Sequence, residues 1–178
     1  LLNLIPSLEL EDVPQNIRKI DTGLVEISGV PLYRHDLFTN GIVYIDFAID
    51  IRDVEDAEGM LLPFLSRMIC SSGLPGRSYD QVALELANKT GGLYTFLESS
   101  RTSDGSEERR DYLFFRLKTL DHDLGKAFEL VSDMLLNSEI SDPARVKDLL
   151  LEMRNDFKSS IVPAGHSYCA VTAAAQFD

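Results

Sequence analysis

The chain has 178 residues, 44% of them hydrophobic, enough for one domain with a sizeable core. Its 17 basic and 29 acidic side chains leave a formal net charge of −12, so it lacks the clustered Lys and Arg that grip phosphate backbones, and nucleic acid is not an expected partner. No apolar stretch approaches the roughly 18–20 residues needed to cross a bilayer, and the first residues lack the basic, apolar and small-residue series of a signal peptide; no membrane partner is expected.

Residues 1–22, punctuated by Pro6 and Pro14 and rich in acids, read as a lead-in or linker segment. Two short strands are expected at about Leu24 to Ser28 and Val30 to His35, reversing at Ser28-Gly29. From Ile42 to Ile51 the alternation is clear: Val43, Ile45, Phe47, Ile49 and Ile51 share one face, and Tyr44, Asp46, Ala48 and Asp50 the other. This is the pattern of a half-buried antiparallel strand, whose acidic face meets solvent or a wet cavity.

After an acidic connection, Met60 to Cys70 reads as a deeply packed helix, apolar on most sides, that ends at Ser71-Ser72-Gly73-Leu74-Pro75-Gly76. Ser78 caps a second helix with Tyr79, Val82, Ala83, Leu86 and Ala87 on one stripe, stopped by Thr90-Gly91-Gly92. Leu93 to Glu98 and Tyr112 to Lys118 form a long hairpin whose polar tip holds Asp104-Gly105 and Glu107-Glu108-Arg109-Arg110. A third helix carries Leu124, Ala127, Phe128, Val131, Met134 and Leu135. A fourth, with Asp142 as N-cap and Pro143 at its first position, carries Val146, Leu149, Leu150, Met153 and Phe157.

The order lacks a regular strand-helix-strand crossover, and the expected class is α+β, an antiparallel sheet with helices packed mainly on one face. Residues 23–163 would form this subdomain. Residues 164–178 would start a further helix or subdomain. The first residue is Leu1, and the run Cys169-Ala170-Val171-Thr172-Ala173-Ala174-Ala175 meets neither cap nor glycine before Asp178, so both ends are expected to be cut from a longer protein. Cys70 and Cys169, 99 positions apart, fit neither a zinc spacing nor a disulfide framework; they are expected as reduced, mostly buried thiols. An intracellular or organellar location is favoured, and the compartment stays open.

Four short motifs, in this order and spacing, carry a resemblance over nearly the whole chain: Ile5-Pro6-Ser7-Leu8 with Asp12-Val13-Pro14, Thr39-Asn40-Gly41-Ile42-Val43-Tyr44, Thr90-Gly91-Gly92, and Ala164-Gly165-His166-Ser167-Tyr168. The chain resembles the pitrilysin or insulinase-like zinc metallopeptidases, in their presequence-protease branch, which includes falcilysin. The resemblance implies four similar α+β subdomains in two halves that close over an internal chamber. Only the first carries zinc, and the match here is to the third.

In the family's inverted His-x-x-Glu-His helix, two imidazoles four residues apart and an outlying glutamate bind zinc, and the motif's own glutamate is the general base. The resemblance puts Pro63 and Arg67 in place of the histidines, Ser66 in place of the base, and Glu152 in place of the outlying ligand, while Phe64, Leu65 and Met68 keep their packing positions. No catalytic and no metal-binding residue is therefore assigned, since one carboxylate cannot hold a catalytic zinc. The resemblance further implies substrates held as an added strand in the catalytic subdomain, gripped by residues of the fourth. No substrate-binding residue is carried over to this chain.

Plainer readings stand beside these. Glu152 is, on its own, a solvated acid on an amphipathic helix. His35, His122 and His166 are too scattered for a ligand set, and His166 more simply caps or orients the last helix. Asp46 and Asp50, about 13 Å apart along a strand, are too distant for an acid-base pair and read as an acidic patch on a chamber wall or as solvent-facing charge. Asn88-Lys89-Thr90 reads as an accidental sequon, and Gly91-Gly92 as a helix stop. Arg67, on a helix expected to be buried, needs a carboxylate, and Glu152 is the partner expected to replace the lost metal.

The functional expectation is a non-catalytic subdomain of a zinc metalloendopeptidase that degrades peptides in a closed chamber. Zinc would belong to the parent enzyme and not to this fragment, which by itself is expected to be inactive. Its partners would be the other subdomains and the parent's peptide substrates, and its contribution chamber wall and interdomain contacts. The alternative is a scaffold domain in a parent that has lost peptidase activity altogether.

Overall fold

A computed structural model of the chain describes residues 12–13, 16, 19–102, 106, 108–140 and 142–175, so the expectations for Pro6, Pro14, Asp104-Gly105 and Glu107 lie outside the described residues. Two compact units divide the chain, Leu1–Asn40 and Gly41–Asp178. In the first, β1 (Gly23–Ile27) and β2 (Val30–Arg34) pair antiparallel with Ile27 opposite Val30. Ser28 and Gly29 reverse the chain with φ of 53° and 84°, the left-handed pair that a two-residue hairpin turn requires.

The second unit is built on a three-stranded antiparallel sheet in the order β3 (Ile42–Asp50), β5 (Arg109–Leu120), β4 (Gly92–Arg101). The helices are the single turn α1 (Asp56–Gly59), α2 (Leu62–Ser71), α3 (Tyr79–Lys89), α4 (Leu124–Asn137), α5 (Pro143–Ser160) and α6 (Gly165–Ala174). The fold is α+β. Register sets the two sheet faces. Val43, Ile45, Phe47 and Ile49 of β3 lie opposite Thr119, Leu117, Phe115 and Leu113 of β5, and Leu93, Thr95 and Leu97 of β4 lie opposite Leu117, Phe115 and Leu113. Because successive side chains of a strand alternate, these residues all point the same way.

The helices cover that face. Leu117, Ala127 and Val131 pack with Ile45, Phe47, Leu86, Leu93 and Leu135, and Leu74, Val82, Leu130 and Met134 form an adjoining cluster against Leu86 and Leu93. The other face carries Tyr94, Phe96, Phe114, Arg116, Lys118 and Tyr44. There Phe96 and Phe114 stack with centroids 4.9 Å apart, and the Arg116 guanidinium lies 4.9 Å from the Phe96 ring centre. Asp46, expected as open acidic surface, instead accepts two hydrogen bonds from Arg116, at 2.8 and 2.7 Å. Asp50 likewise accepts from Arg52, which also reaches Glu108 at 2.9 Å.

Helix α2 departs from the expectation of deep packing on most sides. Met60 and Leu61 are 77% and 62% exposed and precede the helix, whose first turn holds Pro63, where a missing N–H costs nothing. Of its ten residues only Ser66 and Met68 are buried. The run is amphipathic, with one face on the sheet and α4 and the other along α5. Helix α5 begins as expected: Asp142 accepts from the Ala144 N–H at 2.9 Å and Pro143 takes the first turn. Helix α6 is capped at Ala164 rather than by His166, and none of its residues is buried.

Candidate functional site: the seam between α2 and α5

On α2 the three positions singled out above point to two different places. Ser66 is 2% exposed and faces the sheet, its hydroxyl donating to the Pro63 carbonyl at 3.1 Å and to Thr95 Oγ1 of β4 at 3.2 Å. Pro63 and Arg67, one helical turn apart, lie on the outer side. Pro63 is exposed and has no donor or acceptor in its side chain. Arg67, expected on a buried face, keeps a side chain 37% exposed and reaches across to α5.

There it forms two ion pairs. Nη1 donates to Asp156 Oδ2 at 2.8 Å and Nη2 to Glu152 Oε2 at 3.4 Å. The pairing of Arg67 with Glu152 is thus present, and Asp156 makes the shorter bond. Glu152 is shared, since its Oε1 lies 3.8 Å from Arg145 Nη1. Arg145 in turn donates from Nε to the Ser71 carbonyl at 3.2 Å, and its guanidinium lies 4.4 Å from the Tyr79 ring centre. The chain Asp156–Arg67–Glu152–Arg145 ties the middle and end of α2 to one side of α5.

Sequence reasoning missed Asp156 and Arg145. A signal for the first was available: Asp148, Glu152 and Asp156 recur every four residues and so share one helix face. Nothing in the sequence pairs Arg145 with Tyr79 or Ser71, which begin α3 and end α2.

This arrangement does not fit zinc. Pro63 offers no ligand atom, a guanidinium stands 3.4 Å from the Glu152 carboxylate, and Ser66 is turned inward onto Thr95. Among the described residues, no three His, Cys, Asp or Glu side chains group in a way that could hold a metal ion. His35 Nδ1 lies 3.3 Å from Thr22 Oγ1, and His122 sits between Asp121 and Asp123. Thr90 of the sequon closes α3, its hydroxyl donating to the Leu86 carbonyl at 2.7 Å and accepting from the Gly92 N–H. The helix stops at Thr90, and Gly92, at φ 123°, opens β4.

The cysteines differ from one another. Cys70 is partly buried on α2, and burial pushes its thiol up to about 12. Cys169, expected to be mostly buried, is exposed on α6, a helix none of whose residues is buried.

The whole chain, residues 1–178, matches the family model described as peptidase M-16C associated. The chain belongs to this peptidase-associated family. It is 27% identical over 169 residues to presequence protease 1, chloroplastic/mitochondrial, of Arabidopsis thaliana, covering 95% of this chain and 16% of that protein. It is 27% identical over 165 residues to protein HypA of Clostridium perfringens, covering 93% and 17%, and 26% identical over 179 residues to the mitochondrial presequence protease of Emericella nidulans, covering 98% and 17%. The chain therefore spans about one sixth of the length of the curated relatives it matches. Among the described residues of this family member no helix is long and apolar enough to cross a membrane.

Proposed function

We propose that this chain is a non-catalytic subdomain of a zinc metalloendopeptidase that degrades peptides in a closed chamber, where it contributes wall and interdomain contacts. The observation that carries the reading is the contact between Arg67 and Glu152. The resemblance assigns these two positions, 85 residues apart in sequence, to ligands of one metal. Their apposition is what a fold inherited from a zinc subdomain would retain, with a guanidinium supplying the positive charge beside the carboxylate. Of the three packing positions beside them, Met68 is 3% exposed and Phe64 half-buried, while Leu65 is 43% exposed.

Zinc and the peptide-bond chemistry would then belong to another part of the parent, and no residue of this chain takes a step in it. Residues 23–163 would be the subdomain and 164–178 the lead into the next. The names of two relatives support presequence peptides as the substrate class and an organellar setting. A presequence is amphipathic, rich in Arg and poor in acids, and a chain of net charge −12 attracts such a peptide over the range of a Debye length.

The test is cleavage of a fluorogenic, Arg-rich amphipathic peptide by the full-length gene product and by the purified 178 residues. Chelator-sensitive cleavage by the former and none by the latter is expected. Zinc-dependent cleavage by the 178 residues alone would overturn the proposal. An inactive parent whose sequence has no His-x-x-Glu-His would replace it with the scaffold reading.

A further inference from the structure

The end of α5 and the whole of α6 form a surface that the rest of the described unit leaves open. Phe157, Ile161, Val162 and Val171 are 57%, 47%, 88% and 70% exposed. The two helices are fixed to each other rather than splayed: the Phe157 and Tyr168 rings meet edge to face at 5.7 Å, and the Ser160 and Tyr168 hydroxyls lie 2.7 Å apart. From Ile161 to Ala175 the sequence holds no Asp, Glu, Lys or Arg, in a chain where such residues make up 26%. A helix with no charged face belongs in an interior, because water gains nothing by solvating it and its apolar area stays exposed.

The chemistry of the surface selects its occupant. From Ile161 to Ala175 the surface offers no charge to an Arg-rich peptide or to an anion, whereas it matches an apolar protein surface that can exclude water from Val162 and Val171, with Phe157 at its edge beside Asp156 and Lys158. Relatives that carry this segment are about six times its length, so such a surface would be supplied within one chain and at high effective concentration. We propose that the α5–α6 face docks against an apolar face of another subdomain of the same full-length chain, making it the principal interdomain contact of this subdomain. The inference rests on the reading above, that the chain is part of a longer peptidase.

Cys169 supplies a reporter, since it lies exposed on α6 within this surface, while Cys70 is held as a protonated thiol by burial. The full-length gene product is treated with a maleimide, native and in denaturant, and modification at Cys169 is followed by peptide mass spectrometry. Labelling at least about tenfold slower in the native protein is expected, because a docked helix reacts only when the contact opens. V171D in the full-length protein should restore fast labelling while leaving the 178-residue chain's thermal midpoint unchanged. Equal rates for native and denatured full-length protein would overturn the proposal. So would protection that appears in the 178-residue chain alone and grows with its concentration, which assigns the face to a second copy. Peptidase activity is measured in parallel: a protected Cys169 in an inactive parent breaks the functional reading and leaves the docking, and a freely labelled Cys169 in an active parent does the reverse.

Discussion

Helices α4 and α5 are held to the same body by different forces. Helix α4, of 14 residues, buries Ala127, Leu130, Val131 and Met134; α5, of 18 residues, buries only Leu149. Full burial of such side chains stabilises by about 1.5–3 kcal/mol each, so α4 is anchored by apolar area on the sheet. Helix α5 is held by one leucine and by the chain of ion pairs through Arg67 and Arg145. The contrast bears on the seam. Pro63 and Arg67 on the outer side of α2, and the side of α5 that faces them, contribute little to the core, so side chains there can change type while the α4 and sheet contacts keep the framework.

The sharpest way to break the comparison is to cut each anchor. Leu130→Ala should cost about 3 kcal/mol, because a 3% exposed side chain between α3 and α4 leaves a cavity its neighbours cannot fill. Leu149→Ala should cost about 2 kcal/mol, somewhat less because the surroundings of α5 are half open and can relax. Urea denaturation measures both. A larger loss for Leu149 than for Leu130 would reverse the assignment of anchors.

The packed region also contains a charge, which makes its stability sensitive to acid. Asp111 is 8% exposed, accepts from Ser99 Oγ at 2.5 Å and pairs with Arg109 at 2.6 Å. The Ser99 hydrogen bond first, and Arg109 after it, hold its carboxyl below the ordinary value, against the opposing effects of burial and of Asp50. A lowered carboxyl contributes stability that is present above its unfolded value of about 3.9 and is lost as pH falls through the folded one. Asp111→Asn should therefore be less stable than the native chain at pH 7, and the difference should close as pH drops below about 4. A difference that stays constant from pH 7 to 3 would show that the side chain acts through shape and not through charge.

What the sequence disclosed follows the same division. The faces of β3 were legible because Val43, Ile45, Phe47 and Ile49 repeat every second residue, and that period has one structural meaning. The ends of β5 were not, because Arg109, Arg110 and Asp111 look like loop residues and become strand only by pairing with Arg101, Ser100 and Ser99. At the seam, Arg67 advertised its need of an acid, and the resemblance pointed to Glu152. Asp156 shares the helix face of Glu152 through the four-residue spacing, but the pairing of Arg145 depends on the rotation of α5 against α2 and α3, which no local pattern encodes. The exposure of Cys169 was hidden for a related reason, since an apolar helix reads as buried whatever lies beside it.

The smallest expected effect is the most informative about the seam. Arg67→Met removes both ion pairs of α2, yet the carboxylates it leaves are not stranded: Glu152 and Asp156 are 51% and 65% exposed, and Glu152 keeps Arg145 at 3.8 Å. Water and Arg145 replace the guanidinium, so the loss should lie within about 0–1 kcal/mol. The methionine also retains the apolar stem against α5. At 1 M salt, where the Debye length is about 3 Å, even that difference should vanish. A loss of about 3–5 kcal/mol that persists in salt is the signature of breaking a desolvated pair. That outcome would make the seam a buried anchor equal to α4, and the division between a packed framework and a chemically free edge would fail at the position where the resemblance places the metal.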